Sequence, residues 1–337
     1  MGQGYEQSVV NPDETYDQIS QYLPGIDLNR PDGLAPIGVI ADHTLPAGGN
    51  VLVSYRYSIN EFDDLRVGTS NVSTSSVLSH YPIAPRHMQA QKHLLLLEYA
   101  PTDDLTLMAT LPFWDVNLDH VQRDGSPINN STTEPGDIAL RGLYTLKRWD
   151  QQQIHISLGV SLPLGVLSTE RFPPTPASPD GSYPLRTSSG TYDFLPGLTY
   201  RGQNDWGTWG VQGLGTVHLG LNNAGYQLGD QADLTAWFSR RLNQHVSLST
   251  RVDANVWGNI SGVDSRLNPL LVPTNVTGAW GGQRVDLLFG TNLFASQNEF
   301  FASQWFSVEA GFPIYQNLAG PQLKLEWLLN AGWNLKF

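Results

Sequence analysis

The chain ends in a segment, QLKLEWLLNAGWNLKF (322–337), whose side chains alternate between apolar and polar with a period of two. Every second position from Leu323 to Phe337 is apolar, and the positions between them are mostly polar or small. Because successive side chains of a strand point to opposite faces, this pattern predicts a strand between an apolar and a polar environment. The segment spans roughly 50 Å at about 3.3 Å per residue, whereas globular strands usually have about 3 to 10 residues. A strand that crosses a bilayer needs about 9 to 11 residues, so this length is typical of a transmembrane barrel.

The composition excludes several other classes of protein. No apolar run reaches the roughly 18 residues of a transmembrane helix. Charged residues make up 15% of the chain, and the net charge of -12 argues against nucleic-acid binding, which depends on Lys and Arg. The chain has no cysteine, so it has neither a disulfide framework nor thiol chemistry. The first residues lack the basic start and apolar stretch of a signal peptide, which leaves a mature form or a protein that is not exported.

Eleven earlier segments show the same alternation, and the spacers between the strands alternate between short and long. The short spacers lie near 100–104, 148–152, 201–205, 242–244 and 295–299. The long spacers lie near 61–90, 118–135, 165–188 and 258–281, and two further short connections lie near 221–227 and 315–320. Short turns at one rim and longer loops at the other are typical of an up-and-down barrel. The sequence therefore predicts an all-β fold, a transmembrane up-and-down antiparallel β-barrel of about twelve strands, over residues 49–337.

Residues 1–48 form a separate N-terminal segment that precedes the first predicted strand on the periplasmic side. Asp13 is predicted to cap a short helix in this segment, and the rest is loop-like. A plug that enters the lumen and a periplasmic tail are both compatible with these residues.

The charged residues of the predicted strands fall on the polar face. Lipid excludes charge, whereas a water-filled lumen accepts it. We therefore predict that thirteen charged side chains line the lumen: Arg56, Asp137, Arg141, Asp193, Arg201, Asp233, Arg251, Asp253, Arg284, Asp286, Glu309, Lys324 and Glu326. In the last strand, the same parity predicts that Leu325 and Leu329 face lipid.

Candidate catalytic and metal-binding residues are few. His155 and Ser157 share one predicted face, but a hydrolase also needs an orienting third group, and no G-x-S-x-G motif occurs. A membrane-embedded hydrolase is thus the weakest alternative. The spacings of His87, His93 and His120 match no zinc pattern. We predict no catalytic residue, no metal site and no cofactor.

Several segments resemble a family of bacterial outer-membrane transporters that is associated with phenol and meta-pathway degradation. The similar segments within residues 36–337 are PIGVIADHTLPAGGNVLVSYRY, GDIALRGLYTL, SSGTYDFLPGLTYRGQ and GGQRVDLLFGTNLF, together with the closing Phe337. The resemblance implies passive passage of small, often hydrophobic or aromatic solutes across the outer membrane. The closing strand also resembles the signal by which outer-membrane proteins are recognised for insertion. That implies contact with the barrel-assembly machinery through Trp333, Leu335 and Phe337.

Two functions therefore remain open for an integral outer-membrane barrel. The first is a channel or transporter, whose partners are outer-membrane lipid and a small solute, with no nucleic acid. The second is a structural or docking barrel with a blocked lumen. Barrels of eight strands are filled by side chains and barrels of 16 to 18 strands hold open channels, so about twelve strands lie between these cases.

Overall fold

The computed structural model of the protein describes residues 25–167, 181–295 and 303–337. The helix predicted after Asp13 lies outside these residues, as do parts of the predicted spacers 165–188 and 295–299. Among the described residues, no helix is long and apolar enough to cross a membrane.

Fifteen strands and one α-helix form the main regular structure of the described residues. The strands are β1 (Val51–Gly68), β2 (Ser70–Val72), β3 (Ile83–Tyr99), β4 (Leu105–Gln122), β5 (Pro127–Pro135), β6 (Ile138–Trp149), β7 (Gln152–Leu162), β8 (Tyr192–Asn204), β9 (Gly207–Leu219), β10 (Tyr226–Gln227), β11 (Gln231–Arg241), β12 (Val246–Trp257), β13 (Ser261–Gly262), β14 (Gly282–Ala295) and β15 (Ser303–Lys336). The helix α1 (Thr74–His80) begins after Ser73, whose hydroxyl accepts a hydrogen bond from the Ser76 N–H. Three short 3-10 helices, Tyr183–Leu185, Pro273–Asn275 and Thr277–Ala279, lie in loops.

Eleven of the strands close into one antiparallel ring. The order around the ring is β1, β3, β4, β6, β7, β8, β9, β11, β12, β14 and β15, and β15 pairs with β1 to close it. The long β15 crosses the ring twice, because residues 304–318 pair with β14 and residues 318–336 pair with β1. Each crossing of the ring by one strand is here called a stave. The ring therefore has twelve staves, which confirms the predicted antiparallel barrel of about twelve strands.

The connections at the two ends of the ring differ in length. At one end, here called the short-turn end, only a few residues join β3 to β4, β6 to β7, β8 to β9, and β11 to β12. At the other end, here called the long-loop end, lie α1, the 3-10 helices and the two-stranded β10–β13 sheet. The alternation of spacer lengths in the sequence thus corresponds to the two ends of one barrel.

The spacers predicted at 61–90 and 118–135 are largely strand instead of loop. Strand β1 stays paired with β3 as far as Asp63 opposite His87. The outer part of β4 pairs with β5, from Phe113 opposite Pro135 to Val121 opposite Pro127. These extensions carry polar residues such as Asp119 at positions that continue the apolar face. On β4 the alternation inverts, because the inward residues Val116 and Leu118 are the apolar ones, and the backbone ladder continues.

Apolar side chains cover the outer face of the ring and polar side chains fill its inner face. Phe289 is 55% exposed and Leu158 is 49% exposed, although both are large and apolar. Arg201 and Thr106 are fully buried, although both are polar. A soluble barrel would show the opposite arrangement, so the ring has the polarity of a membrane barrel.

Candidate functional site

Residues 25–46, here called the inner segment, lie within the ring near its short-turn end. Side chains of the ring donate hydrogen bonds to the carbonyl groups of this segment. Arg201 Nη2 donates to Gly33 O at 2.6 Å, Trp305 Nε1 donates to Arg30 O at 2.8 Å, and Gln212 Nε2 donates to Ala41 O at 3.0 Å. Six further side chains of the ring donate to its backbone: Arg56, His155, Gln203, Thr208, Ser247 and Asn292. The polar inner wall thus satisfies the backbone of a segment without regular structure.

Apolar side chains of the inner segment pack against the ring at the short-turn end. Leu28, Leu34 and Leu45 belong to one buried cluster with ring residues. The ring contributes Leu52, Leu96, Ala100, Met108, Leu143, Phe294 and Trp305 to it. Each buried leucine contributes roughly 1.5 to 3 kcal/mol relative to its exposure to water. The inner segment is therefore held by apolar packing as well as by hydrogen bonds.

A buried network of four charged groups joins the inner segment to β3 and β8. Arg201 Nη1 lies 3.2 Å from Asp42 Oδ2, and His43 Nδ1 lies 2.9 Å from Asp42 Oδ1. His43 Nε2 lies 3.3 Å from Glu98 Oε2, at ion-pair distance but without hydrogen-bond alignment. Burial alone would lower the pKa of His43, but the carboxylates of Asp42 and Glu98 outweigh it and raise this pKa to about 9. A protonated His43 balances the network, with two cations facing two carboxylates.

Two predicted lumen residues, Arg251 and Glu309, form the next layer of charge. Arg251 Nε donates to Glu309 Oε1 at 2.8 Å and its Nη2 donates to Oε2 at 3.0 Å, while Asn330 Nδ2 donates to Glu309 Oε2 at 3.1 Å. Gly38 of the inner segment packs on this pair, since a Cβ at Gly38 would lie 2.4 Å from Arg251 Nη2 and from Glu309 Oε2. The inner segment therefore reaches the level of this ion pair, and a side chain at position 38 would displace Arg251 or Glu309.

Three predicted aspartates lie on neighbouring staves in the half of the ring toward the long-loop end. Asp233 is on β11, Asp253 on β12 and Asp286 on β14. Arg284 Nε donates to Asp286 Oδ2 at 2.8 Å, and Arg251 Nη1 lies 3.0 Å from Asp253 Oδ1. The structure thus groups five of the predicted charges on one wall.

Arg56 and Arg141 are buried on other parts of the inner wall, and both donate to backbone carbonyl groups. Arg56 Nη1 donates to Ile37 O at 2.8 Å, which adds a contact to the inner segment. Arg141 Nη1 donates to Leu195 O at 3.1 Å on β8. Among the described residues, neither guanidinium forms an ion pair with a carboxylate.

Asp137 and Asp193 accept hydrogen bonds from the loop that precedes β8. The Ser189 N–H donates to Asp137 Oδ2 at 2.8 Å, and Ser189 Oγ donates to Asp193 Oδ2 at 3.0 Å. His218 Nδ1 lies 2.8 Å from Asp193 Oδ1, and Thr191 Oγ1 donates to the same oxygen at 2.6 Å. These two carboxylates thus fix a loop over the inner wall.

The position of Leu325 differs from the one predicted for it in the last strand. Leu325 is only 1% exposed and packs with Leu288 and Leu328 inside the ring. The pairing of β1 with β15 shifts by one residue at this level, so that Phe62 lies opposite Leu325. An extra residue in one strand reverses the faces beyond it. The prediction that Leu325 faces lipid is therefore wrong, whereas Leu329 lies on the other side of the shift and keeps the predicted parity.

Because of the same shift, Lys324 and Glu326 do not lie on the face that the sequence predicted for them. Both flank Leu325 and therefore lie on the opposite face, away from the interior. Lys324 Nζ lies 2.7 Å from Glu326 Oε1 and 3.4 Å from Asp64 Oδ2, and Asp64 is exposed. These two charges pair at the outer rim of the long-loop end and do not line the lumen.

The loops of the long-loop end pack on one another across the ring. Arg186 Nη2 lies 2.8 Å from Asp264 Oδ2, which joins the loop before β8 to the loop after β13. The Arg186 guanidinium also lies 5.1 Å from the ring centre of Tyr183 and 4.9 Å from that of Tyr226. Leu185 reaches across to the inner side of β4, where it packs with Leu118 and its neighbours. The described loops thus cover part of the mouth of the barrel.

The candidate catalytic and metal-binding residues have other contacts. His155 Nε2 lies 2.9 Å from Ala41 O, so this imidazole holds the inner segment, and Ser157 is buried beside it without a hydrogen-bond partner. His87 contacts Glu61, while His93 Nδ1 lies 2.7 Å from the Tyr55 hydroxyl. His120 is buried elsewhere on β4. Within residues 25–167, 181–295 and 303–337, no group of three or more His, Asp or Glu side chains is arranged to hold a metal ion.

The three residues of the predicted assembly signal lie at the end of β15 near the short-turn end. Trp333 stacks on Phe306 with ring centres 5.6 Å apart, and Leu335 lies opposite Val53. Phe337 is 60% exposed. Their role in assembly stays a prediction.

Asp42 and His43 were missed as candidates, although both are central to the buried network. The available signal is their position: an adjacent acid and imidazole follow the apolar run PIGVIA in the N-terminal segment. A charged pair with such neighbours indicates burial with partners, but the partners Glu98 and Arg201 are distant in sequence.

The closed barrel with a polar interior is similar to solved bacterial outer-membrane proteins. An outer-membrane channel from Pseudomonas putida F1 matches with a TM-score of 0.61 and 14% identity, over 88% of this chain and 98% of that chain. A Pseudomonas aeruginosa FadL homologue matches with a TM-score of 0.42 and 9% identity, over 91% and 92% of the two chains. The KdgM porin matches with a TM-score of 0.41 and 9% identity, over 85% of this chain and 99% of that chain.

No family model matches the sequence, and no curated protein matches it. The similarity to the Pseudomonas putida channel shows that this chain has the fold of a bacterial outer-membrane β-barrel.

Proposed function

We propose that the protein is a channel of the bacterial outer membrane through which small solutes pass. The observation that carries this proposal is the polarity of the closed ring, with apolar residues such as Phe289 outside and the buried Arg251–Glu309 pair inside. Outer-membrane lipid would cover the outer face. A charged inner wall suits a hydrated path, because lipid excludes such charges. The long-loop end would face the cell exterior and the short-turn end the periplasm.

The sequence resemblance supports small hydrophobic or aromatic molecules as the solutes. In this proposal the barrel-assembly machinery inserts the protein and the closing strand carries the signal. In this proposal His155 has a structural role and not the role of a catalytic base, because its imidazole donates to the backbone of the inner segment.

The inner segment is the element that would control passage. Its contacts with the ring and its buried leucines close the short-turn end around residues 25–46. We infer that it acts as a plug, which must move or leave a side path when a solute passes. The same observation favours the second candidate, a structural or docking barrel whose lumen stays blocked.

A disulfide between the inner segment and the wall separates these two candidates. Thr44 Oγ1 lies 3.0 Å from Thr145 Oγ1 on β6, and the chain has no cysteine of its own. The double variant Thr44→Cys/Thr145→Cys is therefore suited to forming one engineered bridge. Single-channel conductance would be measured in planar bilayers for the wild type, the oxidised and reduced double variant, and a variant that lacks residues 25–46.

For a channel with a movable plug, we expect the wild type and the reduced double variant to conduct. The oxidised form should lose most openings, and the variant without the inner segment should conduct continuously. The single variant Thr145→Cys is the control for the substitution itself. A folded wild type and a folded shortened variant that both fail to conduct would refute the channel and favour the structural barrel.

A further inference from the structure

The inner wall formed by β11, β12 and β14 carries three aspartates at one level of the ring. Asp253 lies directly opposite Asp286 in the β12–β14 ladder. Asp233 lies opposite Asn255 on the other side of β12, two positions from Asp253. Each aspartate is seven to nine residues from the short-turn end of its strand. Asp233, Asp253 and Asp286 are here called the carboxylate row.

The cations beside the carboxylate row do not balance it. Arg251 directs two of its nitrogens to Glu309, at 2.8 and 3.0 Å, and a third to Asp253. Arg284 reaches Asp286 through Nε at 2.8 Å. With Glu309 included, four carboxylates face the guanidinium groups of Arg251 and Arg284, and Arg56 is a third cation that interacts with Glu309. Like charges directly opposite each other on neighbouring strands are destabilising, so the wall favours an additional positive charge.

The Asp286 carboxylate has an acceptor that nothing in the described residues uses. Asp286 is 1% exposed and lies on the inner face, and its Oδ1 has no hydrogen-bond partner. Asp253 Oδ1 likewise accepts no hydrogen bond, although the Arg251 guanidinium lies at ion-pair distance. A buried carboxylate oxygen without a donor costs free energy. Asp253 has Arg251 beside its Oδ1 and accepts from Asn255 Nδ2 at 3.2 Å through its Oδ2, so the unused acceptor is that of Asp286, which calls for a ligand with an N–H donor.

The shape of the row distinguishes between kinds of cation. The three carboxylates are spread over neighbouring strands, which lie about 4.8 Å apart. In the part of the chain that the structure describes, no acidic group converges as a metal site does. An ammonium or guanidinium group supplies several N–H donors in different directions, so it matches a row of acceptors better than a bare ion.

We propose that the carboxylate row is a binding site for an organic cation, a protonated amine or guanidine, in the lumen. This proposal rests on the proposed channel and names a substrate class for it. Lys92 lies on the second stave of the ring and Asp233 on the eighth, so a lysine faces the row across the lumen. Lys92 lies over the Trp114 ring at 5.2 Å. Its charge disfavours a second cationic group at the far end of the solute.

Three matched probes test the charge requirement: benzylamine, benzyl alcohol and benzoate. Calorimetric titration of the full chain in detergent at neutral pH measures equilibrium binding of each one. We expect benzylamine to bind at least about tenfold more tightly than either of the others. Asp253→Asn and Asp286→Asn should each weaken its binding by about tenfold or more. Asp205→Asn, in an exposed short turn, is the matched control and should leave binding unchanged.

Equal binding of the three probes would overturn the proposal, as would no binding of benzylamine to the wild type or unchanged binding to Asp286→Asn. If Asp286→Asn does not fold, Asp233→Asn at a partly exposed position provides the same comparison. The binding result is independent of conductance. A protein that conducts without binding benzylamine keeps the proposed channel and loses the cation site, whereas a protein that binds it without conducting keeps the site and loses the channel.

Discussion

At the scale of single residues, the Arg251–Glu309 pair is a bidentate contact of the inner wall. Glu309 is 1% exposed and accepts from two nitrogens of Arg251. Glu309→Gln weakens the two charge-assisted hydrogen bonds from Arg251, which keeps Asp253 as its carboxylate partner, so we expect the free energy of unfolding to fall by about 1.5 to 3 kcal/mol. Urea unfolding followed by tryptophan fluorescence measures this loss.

Glu326→Gln is the matched control for this substitution. The side chain of Glu326 is 38% exposed and pairs with Lys324 at the outer rim. An exposed pair of this kind contributes about 0 to 1 kcal/mol. Equal losses in the two variants would contradict the assignment of Glu309 to the interior and Glu326 to the outer face.

His43 gives the stability of the protein a dependence on pH. The carboxylates beside it raise its pKa from the usual 6.5 to about 9. A group with a raised pKa stabilises the fold while it is protonated, so this contribution is complete below about pH 6.5 and is lost as the pH rises through about 9. His43→Gln should therefore cost on the order of 3 kcal/mol at pH 6 and little at pH 10. Urea unfolding of both proteins at the two pH values checks this, and an equal difference at both would contradict it.

At the scale of elements, each strand of the ring separates two environments. On β12, Val252 is 42% exposed on the outer face, whereas Asn255 lies on the inner face. Val252→Arg places a charge toward lipid near the middle of the strand, and we expect it to cost about 2 to 4 kcal/mol in a bilayer. Asn255→Arg places the same group next to carboxylates and should cost little. Unfolding in lipid vesicles measures both variants, and similar costs would contradict the assigned faces.

Alternation alone predicted the staves of the ring, because each one borders lipid on one side and polar groups on the other. The same rule failed at Leu325, where one extra residue in β15 reverses the faces. A bulge changes register without any change in composition, so the alternation of the last segment gave no sign of it. The extensions of β4 and β5 were missed for a related reason. Beyond the apolar band the outer face is polar, whereas Val116 and Leu118 make the inner face of β4 apolar, and β5 has no regular alternation.

At the scale of the whole molecule, the sequence left the place of the N-terminal segment open between a tail and a plug. Its position depends on complementarity with many separate strands. Arg201, Gln212 and Trp305 each donate to it from a different part of the ring. Such a set of donors converges only after the ring closes. The segment shows no helix or strand pattern of its own, because its backbone partners are side chains.

The orientation of the barrel in the membrane is also a property of the whole molecule, and we predict it from the two ends of the ring. The absence of cysteine makes single-cysteine variants specific for one position each. Leu270→Cys lies in the long loop after β13, where Leu270 is 77% exposed, and Gln151→Cys lies in an exposed turn between β6 and β7. Outer-membrane barrels keep short turns in the periplasm and longer loops outside. A maleimide that cannot cross the outer membrane should therefore label Leu270→Cys on intact cells and spare Gln151→Cys. Both variants should be labelled in permeabilised cells, which controls for the reactivity of each thiol. Labelling of Gln151→Cys alone on intact cells would mean that the topology is inverted and that the inner segment lies toward the exterior.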